Sequence, residues 1–425
     1  MKDRTVVHMD INHCYAQIEE VRRPELRRRA MAVGGDASRR HGIILAKNDA
    51  AAAAGVKTGE TLREAVQKCP GLLILPPDYD EYMRLTEYVR EIYADWSEFV
   101  EPYGLDEAWI DVTALYDSAG SAVKAAEAVM KRIELETGLT VSAGISWNKV
   151  FAKLGSDMAG ARQIVTVGRD NFRETAWPRP VRELMHVGPA AAGKLQLLGV
   201  HTIGDLAVYS GPALREIFGL PGEIMRAAAR GEDPGRVAAY GYRKPQEALG
   251  MTVTMMRDAD SFTDLSAVFC IVAEQLSARL RHMGLECRVI AAALRTNDLK
   301  WQTVQRKLPG PTDLGEELWR ESMSLLREKY TLTKPLRAVG LTLTELRPAD
   351  RDRQLSLFTD ENRRARLRSL EQACDDIRER FGAGMVRRGC TLMDTELADP
   401  VYTAEHIPGP AGSFGGRKSM TDGSV

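Results

Sequence analysis

Three carboxylates in two apolar settings are the residues of this chain best placed to do chemistry. Asp106 and Glu107 follow Tyr103-Gly104-Leu105 and lead into Ala108-Trp109-Ile110-Asp111-Val112. Glycine at 104 permits a tight turn that a Cβ would hinder. Residues 108–112 alternate and are rich in β-formers, which predicts a strand. Neighbours on a strand point to opposite faces, but at a turn this alternation relaxes, so both carboxylates can reach one centre. Asp10 ends a second apolar run, Thr5-Val6-Val7-His8-Met9. Such oxygen donors suit a hard cation such as Mg²⁺, which takes carboxylates together with substrate phosphates. Two ions held close together can activate an attacking oxygen and stabilise a leaving one. An isolated Asp-Glu pair reads first as an acidic surface turn, since charged residues are mostly exposed. The second acidic strand argues against that reading.

The elements around these residues follow from local pattern. Ile11-Asn12-His13-Cys14-Tyr15-Ala16 marks a strand-to-helix transition. Residues 20–75 form a lobe of small strands and helices: an alanine-rich helix at 50–54 ends at Gly55, and a second runs from about 56 to Lys68 before Cys69-Pro70. A long helix, about 80–99, precedes the acidic turn, and another spans 118–137. Leu139 to Ile145 is a strand, and Ser146-Trp147-Asn148 opens a helix carrying Lys149 and Lys153 one turn apart on one face. These lysines suit substrate phosphates or a solvated helix face.

At 425 residues the chain is too long for one core, and 44% apolar with 28% charged residues is ordinary for a globular protein. No apolar run is long enough for a membrane span, and Met1-Lys2-Asp3-Arg4 lacks a signal-peptide core. The six cysteines lack paired metal spacing, which predicts free thiols and a cytoplasmic protein. The net charge of −1 hides a weak local bias, seventeen Lys and Arg against thirteen Asp and Glu between Arg236 and Arg347.

After a linker at Trp177-Pro178-Arg179-Pro180 comes Val187-Gly188-Pro189, a helix to Leu198, then Gly199-Val200-His201-Thr202 and a second helix. This has the form of a helix-hairpin-helix, whose turn presents backbone N–H groups to a DNA phosphate regardless of base sequence. A looser copy runs from Leu214 through Gly219 to Gly231, and Arg236 to Pro245 reads as a second linker. Strands at 250–255, 286–296, 300–307 and 336–346, with helices at 261–283 and 312–329, give a β-α-β-β-α-β order: a four-stranded sheet backed by two helices, either lying on a duplex or serving as a generic α+β module. Gln354-Leu355-Ser356-Leu357-Phe358 can place Leu355, Leu357 and Phe358 in a partner's apolar groove while Gln354 fixes register. Residues 361–381 are charged and helical, and 403–425 read as a disordered tail.

Taken in order and spacing, these segments resemble the Y-family translesion DNA polymerases, on the bacterial DNA polymerase IV branch, over roughly residues 4–393. The resemblance implies an α+β right-hand polymerase: palm at 1–19 and 76–168, fingers at 20–75, a helix-hairpin-helix thumb at 169–235, a linker at 236–248 and a little finger at 249–347. It implies nucleotidyl transfer with two Mg²⁺ ions, in which a primer 3′-hydroxyl attacks the α-phosphate of a dNTP. Asp10, Asp106 and Glu107 match the metal ligands, Tyr15 the steric gate against a ribose 2′-hydroxyl, Gly188 and Gly199 the DNA-backbone turns, and Gln354 to Phe358 the sliding-clamp peptide. The implied partners are primer-template DNA, dNTP and the clamp, with the enzyme a monomer.

The chain departs from the family where the nucleotide binds. Asp49 and Ala52 stand where the family has an aromatic and a basic residue, Gly160 where it often has lysine, Glu247 for a basic residue, and Cys14 for phenylalanine before the gate. Each lost charge-assisted phosphate contact removes about 1.5–3 kcal/mol, which predicts weakened dNTP affinity, with Lys47, Lys149 and Lys153 left as substitutes. A catalytically weak, polymerase-like adaptor for DNA and clamp is the competing reading; it has no need of the three carboxylates. A metal-dependent nuclease would use them but gains nothing from a steric gate.

Overall fold

The structure is a computed structural model and describes residues 3–35, 42–116, 119–242, 244–349, 360–382, 384–392, 394 and 397. The described chain divides into one unit up to 242 and a second from 244. In the first, β1 (Val6–Ile11) and α1 (Cys14–Arg22) lead into β2 (Met31–Gly34), β3 (Ile44–Lys47), α2 (Asp49–Ala53), α3 (Leu62–Lys68) and β4 (Leu73–Leu75). Then come α4 (Tyr79–Trp96), β5 (Val100–Tyr103), β6 (Glu107–Asp111), α5 (Ala119–Thr137), β7 (Val141–Ser146), α6 (Lys149–Met158) and β8 (Ile164–Val167). The main sheet has the order β5-β6-β1-β7-β8, with only β7 and β8 parallel. Alternation splits β1: Val7, Met9 and Ile11 enter the core with α1, α4 and α5, while Val6 packs with Trp109 and Ala152 on the other side.

The small lobe is a three-stranded sheet, β3-β2-β4, around its own core of Ala32, Ile44, Ala51, Val56, Leu62 and Ala65. Its second helix starts later than expected, at Leu62. Thr61 and Glu64 form a capping box there, which fixes the first turn and leaves 57–60 as a turn.

Helix α6 reaches the sheet unusually closely, because two glycines face each other. A Cβ on Gly144 would lie 1.9 Å from the Ala152 carbonyl oxygen, and one on Gly155 would lie 3.1 Å from the Gly144 Cα. Replacing Gly144 by alanine therefore pushes α6, and Lys153 with it, off the sheet. The expected cost is at least about 3 kcal/mol, read as a fall in melting temperature; a variant melting with the wild type would show that the helix can shift freely.

The helical region contains α7 (Phe172–Thr175), α8 (Pro189–Leu197), α9 (Ile203–Val208), α10 (Gly211–Phe218) and α11 (Leu220–Ala229). Both expected linkers prove to be fastened. At the first, Ile203 and Gly204 donate backbone hydrogen bonds to Arg179 and Trp177, and the Trp177 indole donates to the Ala229 carbonyl at 3.0 Å. At the second, Val237 is buried, and the amides of Ala238 and Tyr240 donate to the Glu101 carboxylate and the Glu98 carbonyl. Proline-rich and charged composition suggested loose chain; backbone pairing holds these segments to their neighbours.

The second unit has β9 (Ala248–Ala259), α12 (Phe262–His282), β10 (Leu285–Thr296), β11 (Trp301–Thr312), α13 (Gly315–Lys329), β12 (Leu336–Thr344), β13 (Arg347–Pro348) and α14 (Glu361–Phe381). The order β11-β10-β12-β9 and the two helices reproduce the expected β-α-β-β-α-β unit. The strand from 301 runs on to 312, past a register shift opposite Cys287 and Val289, so α13 begins at 315 rather than 312. Charged as it is, α14 docks through buried ion pairs: Arg281 meets Glu371 and Asp375 at 2.6 Å each. The clamp-peptide candidates Gln354, Leu355, Leu357 and Phe358 lie outside the described residues.

Candidate active site

β1 and β6 run antiparallel with Asp10 directly opposite Glu107. Past the strand end, the Ile11 amide donates to the Asp106 carbonyl at 3.0 Å, so the turn residue folds back against β1. Gly104, at φ +78°, supplies the left-handed position that this turn requires. The structure thus brings Asp10, Asp106 and Glu107 to one end of the sheet. The α6 side adds Lys153, 2.5 Å from Glu107 and 3.3 Å from Asp157.

The electrostatics are those of crowded acids. Burial, with the Glu107 and Asp106 charges, pushes the Asp10 carboxyl up to about 8. Burial and Glu107 also raise Asp106. Burial would raise Glu107 too, but His8 and Lys153 outweigh it and hold that carboxyl below its usual range. The Lys153 ammonium, despite burial, is raised by Glu107. Among the described residues, no three His, Cys, Asp or Glu side chains are already gathered to hold an ion. The site is instead an open set of oxygen donors with surplus negative charge and one lysine within it. That fits a hard cation completed by substrate phosphates and water.

Tyr15, the second residue of α1, stacks on Tyr82 with ring centroids 4.5 Å apart and meets Tyr79 edge-on at 6.0 Å. Of the three candidate lysines, Lys153 reaches the carboxylates. Lys149 is bound to Glu101 at 3.0 and 3.1 Å and lies over the Trp109 ring, and Lys47 contacts Thr58 at 3.4 Å. Asp49 is almost fully exposed and pairs with His13 at 3.1 Å. Gly188 caps α8, Gly199 turns at φ +78°, and a Cβ on either would meet nothing within 4 Å, so both turns are open to a ligand.

Sequence reasoning passed over two site residues. Asp157 stands four residues after Lys153 on α6, a helical pairing that was there to be read. His8 shares a strand face with Asp10, and its apolar surroundings concealed it.

A family model described as the impB/mucB/samB family matches residues 9–157, and one described as that family's C-terminal domain matches 247–357. The DNA polymerase IV of Acetivibrio thermocellus is 36% identical over 394 residues, covering 93% of this chain and 99% of that protein. DNA polymerase IV 1 of Bacillus subtilis is 30% identical over 403 residues, covering 93% and 95%. The chain belongs to the DNA polymerase IV family. It is a DNA-directed DNA polymerase of the translesion type, with the Y-family fold. A solved Y-family DNA polymerase chimera superposes with a TM-score of 0.73 at 18% identity, covering 81% of this chain and 99% of the chimera, which supports the fold. In this polymerase the acidic sheet end falls within the first matched region, and the four-stranded sheet within the second. Among the described residues, no helix is long and apolar enough to cross a membrane.

Proposed function

We propose that this polymerase extends a primer 3′-hydroxyl with dNTPs by a two-metal mechanism at Asp10, Asp106 and Glu107. The observation that carries it is the pairing of Asp10 with Glu107 across β1 and β6, with Asp106 bonded back to Ile11. Held by these three carboxylates, divalent ions would supply Lewis acidity for the attacking hydroxyl and the leaving pyrophosphate. The carboxylates fix the ions' place on a rigid sheet. Lys153 offsets part of their charge and stands ready for the nucleotide phosphates. Tyr15 closes the sugar side of the site. The thumb turns at Gly188 and Gly199 leave room for a duplex phosphate to approach the backbone closely, while the Gly199 amide itself donates to the Gln196 carbonyl at 3.0 Å.

In domain terms, the main sheet is the palm (1–19 and 76–168), the three-stranded lobe the fingers (20–75), the helical region the thumb (169–235) and the second sheet the little finger (249–347). The enzyme works as a cytoplasmic monomer tethered to a sliding clamp through Gln354, Leu355, Leu357 and Phe358. Deleting 354–358 is expected to lower extension several-fold only when clamp is loaded, because tethering raises effective concentration. Equal loss without clamp would assign the segment a folding role.

The pH dependence of metal binding follows from Asp10. Its carboxyl is raised to about 8, so below that pH an ion must displace a proton. Apparent Mn²⁺ affinity is expected to fall by up to about tenfold per pH unit below 8 and to level off above. The stability sign is the reverse of that of a salt-bridged acid. Without metal, the folded state prefers Asp10 protonated, so its contribution is greatest below the unfolded pKa of about 4 and is lost as pH rises toward 8. Equal Mn²⁺ affinity at pH 6 and pH 8 would contradict this account.

Primer extension with single dNTPs on plain and adducted templates tests the whole reading. One observation favours the adaptor alternative: Asp49 puts a carboxylate where an aromatic residue is expected, and Ala52 brings no charge where a basic one is. DNA and clamp binding without metal-dependent extension would establish it.

A further inference from the structure

His8 is fully buried two residues before Asp10, between β1, β6 and α6. Three groups box its ring. Trp109 meets it edge-on at 5.3 Å, Nδ1 lies 2.7 Å from the Ser156 hydroxyl, and Nε2 lies 3.2 Å from Glu107 Oε2. Lys153 and Asp157 are the other charged groups that act on it, both from α6. The Ser156 oxygen is also 2.8 Å from the Lys153 carbonyl, so one hydroxyl hydrogen has two acceptors in reach. If it goes to the carbonyl, Nδ1 must carry the ring hydrogen, and the neutral imidazole turns a bare lone pair on the Glu107 carboxylate. If it goes to Nδ1, the ring hydrogen is on Nε2 and faces Glu107. The second arrangement removes the repulsion and satisfies both nitrogens' partners.

Nε2 is nonetheless a buried atom with no aligned hydrogen-bond acceptor among the described residues, although Glu107 Oε2 is only 3.2 Å away. Such orphans are rare in native proteins, and each one calls for an explanation. Here a small turn of the Glu107 carboxylate completes the bond. Lys153 holds the same oxygen, Oε2, at 2.5 Å. Among the described residues these two side-chain contacts therefore fall on one oxygen, with none on Oε1.

We propose that His8, locked by Ser156, is a positioning residue that holds Oε2 of Glu107 so that Oε1 is presented to a divalent ion. This rests on the reading of Glu107 as a metal ligand. It assigns His8 and Ser156 a part that neither the carboxylate set nor the steric gate requires. Outer-shell partners of metal-binding side chains typically alter affinity by about 10–100-fold when removed.

The test is Mn²⁺ binding to the full chain without DNA or dNTP, followed by the electron paramagnetic resonance of free Mn²⁺, with thermal melting alongside. His8→Phe fills the space and keeps the contact with Trp109 but has no N–H. It is expected to weaken Mn²⁺ at least about tenfold while melting within a few degrees of wild type. His8→Gln, whose amide keeps a donor, is expected to recover most of that loss. Ser156→Ala leaves the ring in place but frees its tautomer, with about a threefold loss expected; it decides the matter should His8→Phe fail to fold. Asp106→Ala is the control for the metal site. If that variant loses Mn²⁺ while folded His8→Phe and Ser156→Ala bind it like wild type, the role of His8 is overturned and the metal-site reading stands. If Asp106→Ala also binds like wild type, the metal-site reading falls and takes this inference with it.

Discussion

Asp106→Ala is expected to lower Mg²⁺-dependent primer extension by on the order of 10³-fold or more, without lowering the melting temperature. The size of the effect follows from groups acting as a unit: removing one member of such a set costs nearly as much as removing all. The stability half of the prediction is the more distinctive. Asp106 is a buried carboxyl whose protonated form is favoured by burial and by the Glu107 charge. Without metal it repels both Glu107 and Asp10, and its removal relaxes Asp10 as well. An alanine there removes repulsion and little packing, so the metal-free variant should melt no lower than the parent, while the Mg²⁺-induced rise in melting temperature disappears. A variant keeping a tenth or more of the extension rate would exclude Asp106 from the chemistry. Cleavage of labelled DNA by the wild type with Mg²⁺ and no dNTP would instead revive the nuclease reading.

How far the sequence could be read depended on whether the signal was local. The β-α-β-β-α-β unit was legible because its strands and helices alternate with clear periods; the bulge opposite Cys287 and Val289 displaced one boundary, and β9 runs on to Ala259, past the expected 255. The meeting of Asp10 with Asp106 and Glu107 was legible as chemistry rather than as geometry. Three acids in two apolar strands suggested one centre, but the register that joins them depends on pairing across about 97 residues of chain. Lys149 and Lys153 show where pattern alone fails. They share a helix face, yet Lys149 is drawn to Glu101 and Trp109 while Lys153 goes to Glu107. The difference is set by which strand each one lies over, which no spacing within the helix encodes. His8 was hidden for the same reason: in an apolar strand it reads as core, and its polar neighbours, Ser156 beside the glycine-glycine contact and Glu107 on β6, come from distant parts of the chain.

Tyr15→Ala is expected to raise the use of ribonucleotides relative to deoxynucleotides by at least about 10²-fold, with a much smaller change in kcat/KM for dNTPs. Excluding one hydroxyl oxygen demands a wall that does not yield, and the structure shows how this ring is kept still. Tyr15 stacks on Tyr82 at an interplanar angle of 12° and is met edge-on by Tyr79 at 85°. Tyr82 is anchored in turn, since its hydroxyl donates to the buried Glu19 carboxylate at 2.8 Å, and Arg23 and Arg22 pair with that carboxylate from the surface. A stacked pair backed by an ion pair limits the ring to a single pose. Alanine opens the whole volume of the ring, whereas phenylalanine preserves the wall and should preserve discrimination. Single-nucleotide insertion with matched rNTP and dNTP pairs reads the ratio directly, and circular dichroism checks that the alanine variant is folded. Unchanged sugar selectivity in a folded Tyr15→Ala would move the gate elsewhere, with Tyr79 the next ring to examine.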